Sequence, residues 1–248
     1  MYSLWGTDGF EFVEYTAPDP DLLRRLFDRM GFPAVARHRS KNVTLHRQGD
    51  INFIINAEPS GFGQQFARAH GPSACAMAFR VRDAAYAYRR ALERGAKPGP
   101  ASAGPMELNI PCIEGIGGSL IYLVDRYGEH TIYDVYFVPL PGAAHDTGTG
   151  LQLIDHLTHN VRRGNMNLWA GFYERLFGFR EVRYFDIEGQ KTGLLSRAMT
   201  SPLRMRERWT SFCSSEPCSM SVGPIIMTPK PPTLLGTPDS ANSSFITN

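Results

Sequence analysis

Cysteine is scarce: the 248 residues hold four, at 75, 112, 213 and 218, and no two are spaced as CxxC. That spacing builds neither a disulfide framework nor a paired zinc knuckle. Buried or incidental thiols in a reducing compartment, by default the cytoplasm, are the expectation. Long apolar runs are missing as well. Nothing approaches the roughly 20 consecutive apolar residues of a membrane-spanning helix, and the N-terminus has no apolar signal core. Charge of one sign is also lacking, with 26 Lys and Arg against 24 Asp and Glu for a net charge of +2. Backbone binding to nucleic acid needs a concentrated basic face. Neither a membrane nor a nucleic acid is therefore expected as partner. No GxSxG elbow and no P-loop lysine occurs, so hydrolase and nucleotidase chemistry lose their usual support. What remains is an ordinary globular composition, 42% hydrophobic and 20% charged, long enough for one large domain or two modest ones.

Within that composition a unit repeats. Phe10-Glu11-Phe12-Val13-Glu14-Tyr15 has strand character, and Pro18-Asp19-Pro20-Asp21 supplies a turn and a helix cap. Leu22, Leu23, Leu26, Phe27 and Met30 recur at helical spacing until Gly31 stops them. Strands are predicted at 34–39, 43–47 and 51–56, which makes the unit βαβββ. A second copy has its strand at 76–81, a helix capped by Asp83 and ended by Gly95, and strands around 106–110, 119–124 and 133–139. Its Gly115-Ile116-Gly117-Gly118 is a loop and not a dinucleotide fingerprint, because no helix follows the glycines. A third copy begins with a strand at 151–157. Trp169, Phe172, Tyr173, Leu176 and Phe177 then mark a helix face that Gly178 ends. Strands at 182–187 and 193–199, joined by a turn at 188–190, follow. The starts near 10, 76 and 151 imply three copies, the last incomplete.

A four-stranded unit of this kind leaves an open face and needs a partner. Units one and two pair into an N-terminal domain over 6–142, and 151–202 reads as the first part of a second domain. Residues 203–248 hold six Pro and eight Ser without periodicity, and read as a disordered tail.

Candidate chemistry is thin. The seven histidines cluster only once, in Asp155-His156-Leu157-Thr158-His159. On a strand, positions 156 and 159 point to opposite faces and cannot share a metal. Asp125-Arg126 closes a strand and reads as a surface pair, and Tyr173 with Glu174 lies on a helix whose periodic positions are core.

Several strings carry a resemblance. They are Gly6-Thr7-Asp8-Gly9-Phe10-Glu11-Phe12-Val13-Glu14-Tyr15, the stretches 50–56 and 104–127, and Ile154-Asp155-His156-Leu157-Thr158-His159-Asn160-Val161. Residues 172–179, 183–187 and Leu195-Ser196-Arg197-Ala198-Met199-Thr200-Ser201-Pro202 complete the set. Over about 5–202 the chain resembles the bacterial 4-hydroxyphenylpyruvate dioxygenases, of the vicinal-oxygen-chelate superfamily built from paired βαβββ units. The resemblance implies an α+β fold and a reaction of 4-hydroxyphenylpyruvate and O2 to homogentisate and CO2 in tyrosine and phenylalanine catabolism. It implies one Fe(II) held by two His and one Glu, a facial triad with open positions for a 2-oxo acid and O2.

Residue by residue, His156 matches the family's first metal ligand and Ser196 a substrate-pocket serine, while His159 matches no metal role. The family's second His and its terminal Glu have no counterpart, since no histidine occurs after 159. The chain as written is therefore expected to bind Fe(II) poorly, if at all, and to be inactive. The match is dense to Pro202 and ends there, which reads as a frame change in the underlying gene. The alternatives are a 4-hydroxymandelate synthase-like dioxygenase and a non-catalytic binding or interaction remnant. Homo-oligomerisation is open to either.

Overall fold

The computed structural model describes residues 7–100, 110–143, 148–187, 194–201, 209–214 and 226–229. Unit one is β1 (Phe10–Thr16), α1 (Pro20–Arg29), β2 (Ala34–His38), β3 (Val43–Gln48) and β4 (Ile51–Asn56). Its helix starts as the sequence dictates. The Asp19 carboxylate accepts from the Asp21 N–H, and Pro20 fills a first-turn position where a missing N–H costs nothing. After Met30 the chain turns out through Gly31 at φ +80°, a backbone region that disfavours any side chain. Leu23 and Phe27 are buried, while Leu22 and Leu26 lie on the outer face of the helix. β1 runs parallel to β4, and β3 and β2 follow antiparallel, in the order β1-β4-β3-β2.

An unpredicted helix, α2 (Phe62–His70), intervenes before unit two. The glycines at 61 and 63 hide it from a propensity reading, yet Gly63 is needed there. The Thr16 hydroxyl donates to its carbonyl at 3.0 Å, and a Cβ would meet the Asn56 side chain at 3.0 Å. Unit two is β5 (Ser73–Arg80), α3 (Ala84–Glu93), β6 (Cys112–Glu114) and β7 (Leu120–Val124), with β7 parallel to β5 and antiparallel to β6. Asp83 caps α3 by accepting from the Tyr86 N–H at 2.8 Å. The glycine loop is a single 3-10 turn over 116–118. Of the strand predicted at 106–110, residues 106–109 lie outside the described residues. β1 and β5 pair antiparallel, which joins the units into one eight-stranded sheet.

The strand predicted at 133–139 is two elements instead: α4 (Ile132–Tyr136) and β8 (Phe137–Pro139). Thr131 and Asp134 form a reciprocal capping box that nucleates the helix turn. A run of aromatic and β-branched residues masked it. β8 pairs antiparallel with β2 and closes the edge of unit one.

Unit three comprises β9 (Leu151–Val161), α5 (Met166–Phe177), β10 (Arg180–Ile187) and β11 (Leu194–Thr200). Gly178 ends α5 in the left-handed region at φ 66°. The turn predicted at 188–190 lies outside the described residues. Two strands come from beyond 202, β12 (Trp209–Ser214) and β13 (Ile226–Pro229), and the second sheet runs β10-β11-β12-β9-β13. β12 lies parallel to β9 and antiparallel to β11, so β9-β12-β11-β10 repeats the order β1-β4-β3-β2. β13 lies antiparallel to β9, as β5 lies to β1. Backbone pairing tolerates sequences without periodicity, which is why composition alone did not reveal these strands.

One hydrophobic cluster runs through both parts of the molecule, from Phe10, Phe32 and Phe53 to Tyr173, Leu176 and Phe177. Phe79 of β5 packs on Phe177 and Phe179, with ring centroids 5.1 and 5.9 Å apart. Arg94 and Arg175 each donate to the other's backbone carbonyl, at 3.1 and 3.0 Å. A second cluster, including Phe12, Leu45, Ile54 and Phe137, fills the other face of the N-terminal sheet. There the buried Glu11 pairs with Arg80, and its carbonyl accepts from Asn52 and from the Tyr133 hydroxyl.

Candidate metal face

β9 carries the one histidine cluster, and its alternation separates the two rings. His159 faces α5. Its Nε2 lies 3.3 Å from the Tyr173 hydroxyl, with the rings 5.8 Å apart. Burial there lowers its pKa to about 4, because a low-dielectric site disfavours the imidazolium. A ring so placed is packed, and neutral near neutral pH.

His156 occupies the opposite face. Its Nδ1 lies 2.9 Å from an Asp155 carboxylate oxygen, and the two side chains are 19% and 25% exposed. A carboxylate only accepts, so Nδ1 is the donor in this contact. A carboxylate in this position fixes the orientation of the ring.

Ser196 lies on β11 and is buried. Its Cα partner on β12 is Cys213, whose partner on β9 is Asn160. Asn160 is four residues beyond His156, so His156 and Ser196 share a face but stand in different rows. At about 3.3 Å per residue and 4.8 Å per strand, their backbones are roughly 16 Å apart. The sheet thus aligns the two sequence-predicted residues without bringing them into contact. Asp125 turns out to be a helix cap, accepting from the Ala84 N–H at 3.0 Å.

The donor set does not fit an iron triad. His156 is a single imidazole, and Asp155 is engaged at its Nδ1. Among the described residues no three His, Cys, Asp or Glu side chains converge as a metal site. The strand laid against β9 offers Ile226 as the Cα partner of His156, and Ile-Met-Thr-Pro contains no imidazole or carboxylate.

Paired βαβββ units, joined through their first strands into sheets with helices on one face, define the vicinal-oxygen-chelate class. A family model described as hydroxyphenylpyruvate dioxygenase, N-terminal, matches residues 3–138. The chain belongs to this family. It is 60% identical over 201 residues to a 4-hydroxyphenylpyruvate dioxygenase from Pseudomonas aeruginosa, an alignment spanning 79% of this chain and 56% of that one. Over 203 residues it is 60% identical to a Vibrio vulnificus protein named hemolysin VllY, spanning 79% and 57%. The chain therefore spans little more than half the length of these relatives.

Among solved structures, a xylose isomerase-like TIM barrel/4-hydroxyphenylpyruvate dioxygenase fusion protein matches with TM-score 0.72 and 36% identity, covering 86% of this chain and 33% of that one. A mutant 4-hydroxymandelate synthase from Streptomyces coelicolor shares the fold, with TM-score 0.69 and 19% identity over 85% of this chain and 64% of that one. No helix among the described residues is long and apolar enough to cross a membrane.

Proposed function

We propose that these residues carry the N-terminal domain and first iron-ligand strand of a 4-hydroxyphenylpyruvate dioxygenase, and that the chain alone does not turn over. In this reading the complete enzyme acts in tyrosine catabolism with Fe(II), a 2-oxo acid and O2. It places His156 as a metal ligand and Ser196 in the substrate pocket. The observation that carries it is His156 itself: it lies on a first strand and its Nδ1 is held by Asp155 at 2.9 Å. The 60% identity to the Pseudomonas aeruginosa dioxygenase supports the same assignment. Because the donors present do not make an iron site, no chemical step is assigned to this chain. The free, buried thiols Cys75 and Cys112 suit a cytoplasmic setting.

A chimera tests the reading. Residues 1–202 of this chain are fused to the C-terminal remainder of the Pseudomonas aeruginosa enzyme and supplied with Fe(II) and 4-hydroxyphenylpyruvate. Homogentisate should form, and His156→Ala in the chimera should abolish it. A folded chimera without product, or one indifferent to His156→Ala, overturns the assignment.

A further inference from the structure

Four neighbouring strands of the N-terminal sheet, β3, β4, β1 and β5, carry Arg47, Asn52, Glu11 and Arg80 in that order. Their side chains join in one chain of contacts. Arg47 donates from Nε to Asn52 Oδ1 at 2.7 Å, and its guanidinium lies over the buried Tyr133 ring, 4.9 Å from the centroid. The Asn52 amide and the Tyr133 hydroxyl both donate to the Glu11 carbonyl, at 2.9 and 3.3 Å. Arg80 donates from Nε to the Glu11 carboxylate, with its guanidinium 5.7 Å from the Tyr127 ring centroid. Each arginine is thus oriented through Nε, and among the described residues no acceptor takes the terminal Nη groups of either. Glu11 is the one carboxylate within ion-pair distance of them among those residues. Two cations therefore share one contact anion, while Asp50 acts on Arg80 and Asp134 on Arg47 from farther out. Arg47 is half-buried and Arg80 19% exposed, and N–H groups drawn partly out of water gain most from an acceptor.

We propose that Arg47 and Arg80 form a binding site for the phosphate group of a small molecule, above the Glu11–Tyr133 contact in the N-terminal domain. Three strand spacings separate β3 from β5, roughly 14 Å between backbones. Both arginines lean inward across that gap, Arg47 onto Asn52 of β4 and Arg80 onto Glu11 of β1. A guanidinium fork fits carboxylate and phosphate alike. Two forks approaching from opposite sides favour the tetrahedral group, which presents oxygens in both directions, whereas a carboxylate offers two in one plane. Asn52, Tyr133 and Glu11 fix the forks beforehand, which lowers the ordering cost of binding. The site lies in the other sheet from His156, so it stands independently of iron binding and of the proposed activity.

Titration calorimetry of the full chain with inorganic phosphate, at constant ionic strength in a phosphate-free buffer, tests it. The unaltered chain should bind phosphate saturably. Arg80 also anchors the buried Glu11, so the decisive variants are at Arg47. Arg47→Met should weaken binding about tenfold or more, the loss of a charged hydrogen-bonding group, with an unchanged circular dichroism spectrum. Arg47→Lys keeps the charge without the fork and should fall between. Asp50→Asn removes a nearby negative charge and should tighten binding. Arg68→Met, at an exposed position in the last turn of α2, should change nothing. Phenyl phosphate separates the sources: tighter binding than phosphate points to an ester, weaker binding to the free ion, and either supports the site. No saturable binding, or a folded Arg47→Met chain that binds phosphate as the unaltered one does, overturns the proposal.

Discussion

Ile226 on β13 is the Cα partner of His156 on β9. Ile226 lies on the strand that runs against β9 as β5 runs against β1. Among the described residues no three His, Cys, Asp or Glu side chains converge as a metal site.

The first prediction concerns how firmly unit three is held. Phe177 has no measurable exposure and touches Phe79 across the boundary between the sheets. Truncating such a side chain in a packed core costs about 3–5 kcal/mol. Phe177→Ala should lower unfolding stability by that amount in a single urea transition. A loss below about 1 kcal/mol would show that the N-terminal domain and unit three are energetically separate.

His159 should make stability depend on pH. Its folded pKa, about 4, lies below the ordinary value of 6.5, so the unfolded chain binds the proton more readily. The stabilisation is fully present above the ordinary value and is lost as pH falls from there toward 4. At about 1.4 kcal/mol per unit, the upper bound is roughly 3.5 kcal/mol. Burial shifts His46 in the same direction, so His159→Gln should flatten the urea midpoint between neutral and mildly acidic pH without abolishing its slope. An unchanged slope would mean that the ring titrates normally.

The buried ion pair of Glu11 and Arg80 closes the first end of β1. Glu11 is 2% exposed and Arg80 19%. Removing one member leaves the other charge buried, at a cost of about 3–5 kcal/mol. Arg80→Met should show that loss by chemical denaturation, and the double variant Glu11→Met with Arg80→Met should recover much of it. Equal losses in single and double variants would contradict a coupled pair.

β12 should matter more than its sequence suggests. It lies between β9 and β11 and pairs with both, so a chain ending at 208 should lose amide-exchange protection throughout β9, β10 and β11. Ending the chain at 224 removes β13 alone and should spare them. Full protection in the chain ending at 208 would exclude β12 from the sheet.

Much of the fold was legible because local signals and tertiary packing agree. Asp19, Pro20 and Asp83 start helices where their chemistry says, and Gly31 and Gly178 end them. The errors arise where signals compete. Phe62 and Phe66 keep helical phase, but flanking glycines outweigh them by propensity. Tyr133 to Phe137 reads as a strand until Thr131 and Asp134 are seen to cap each other. β12 and β13 leave no apolar period to find, since they join through backbone pairing. At the site, alternation alone separated His156 from His159. The roughly 16 Å between His156 and Ser196 depended on a strand register that only the sheet order reveals.

Iron content together with product is the most direct test of the central claim. The purified 248-residue chain is reconstituted anaerobically with Fe(II), desalted, and given 4-hydroxyphenylpyruvate and O2. The account predicts far less than one iron per chain and no homogentisate. One tightly held iron per chain with homogentisate formed, both lost in His156→Ala, would contradict it.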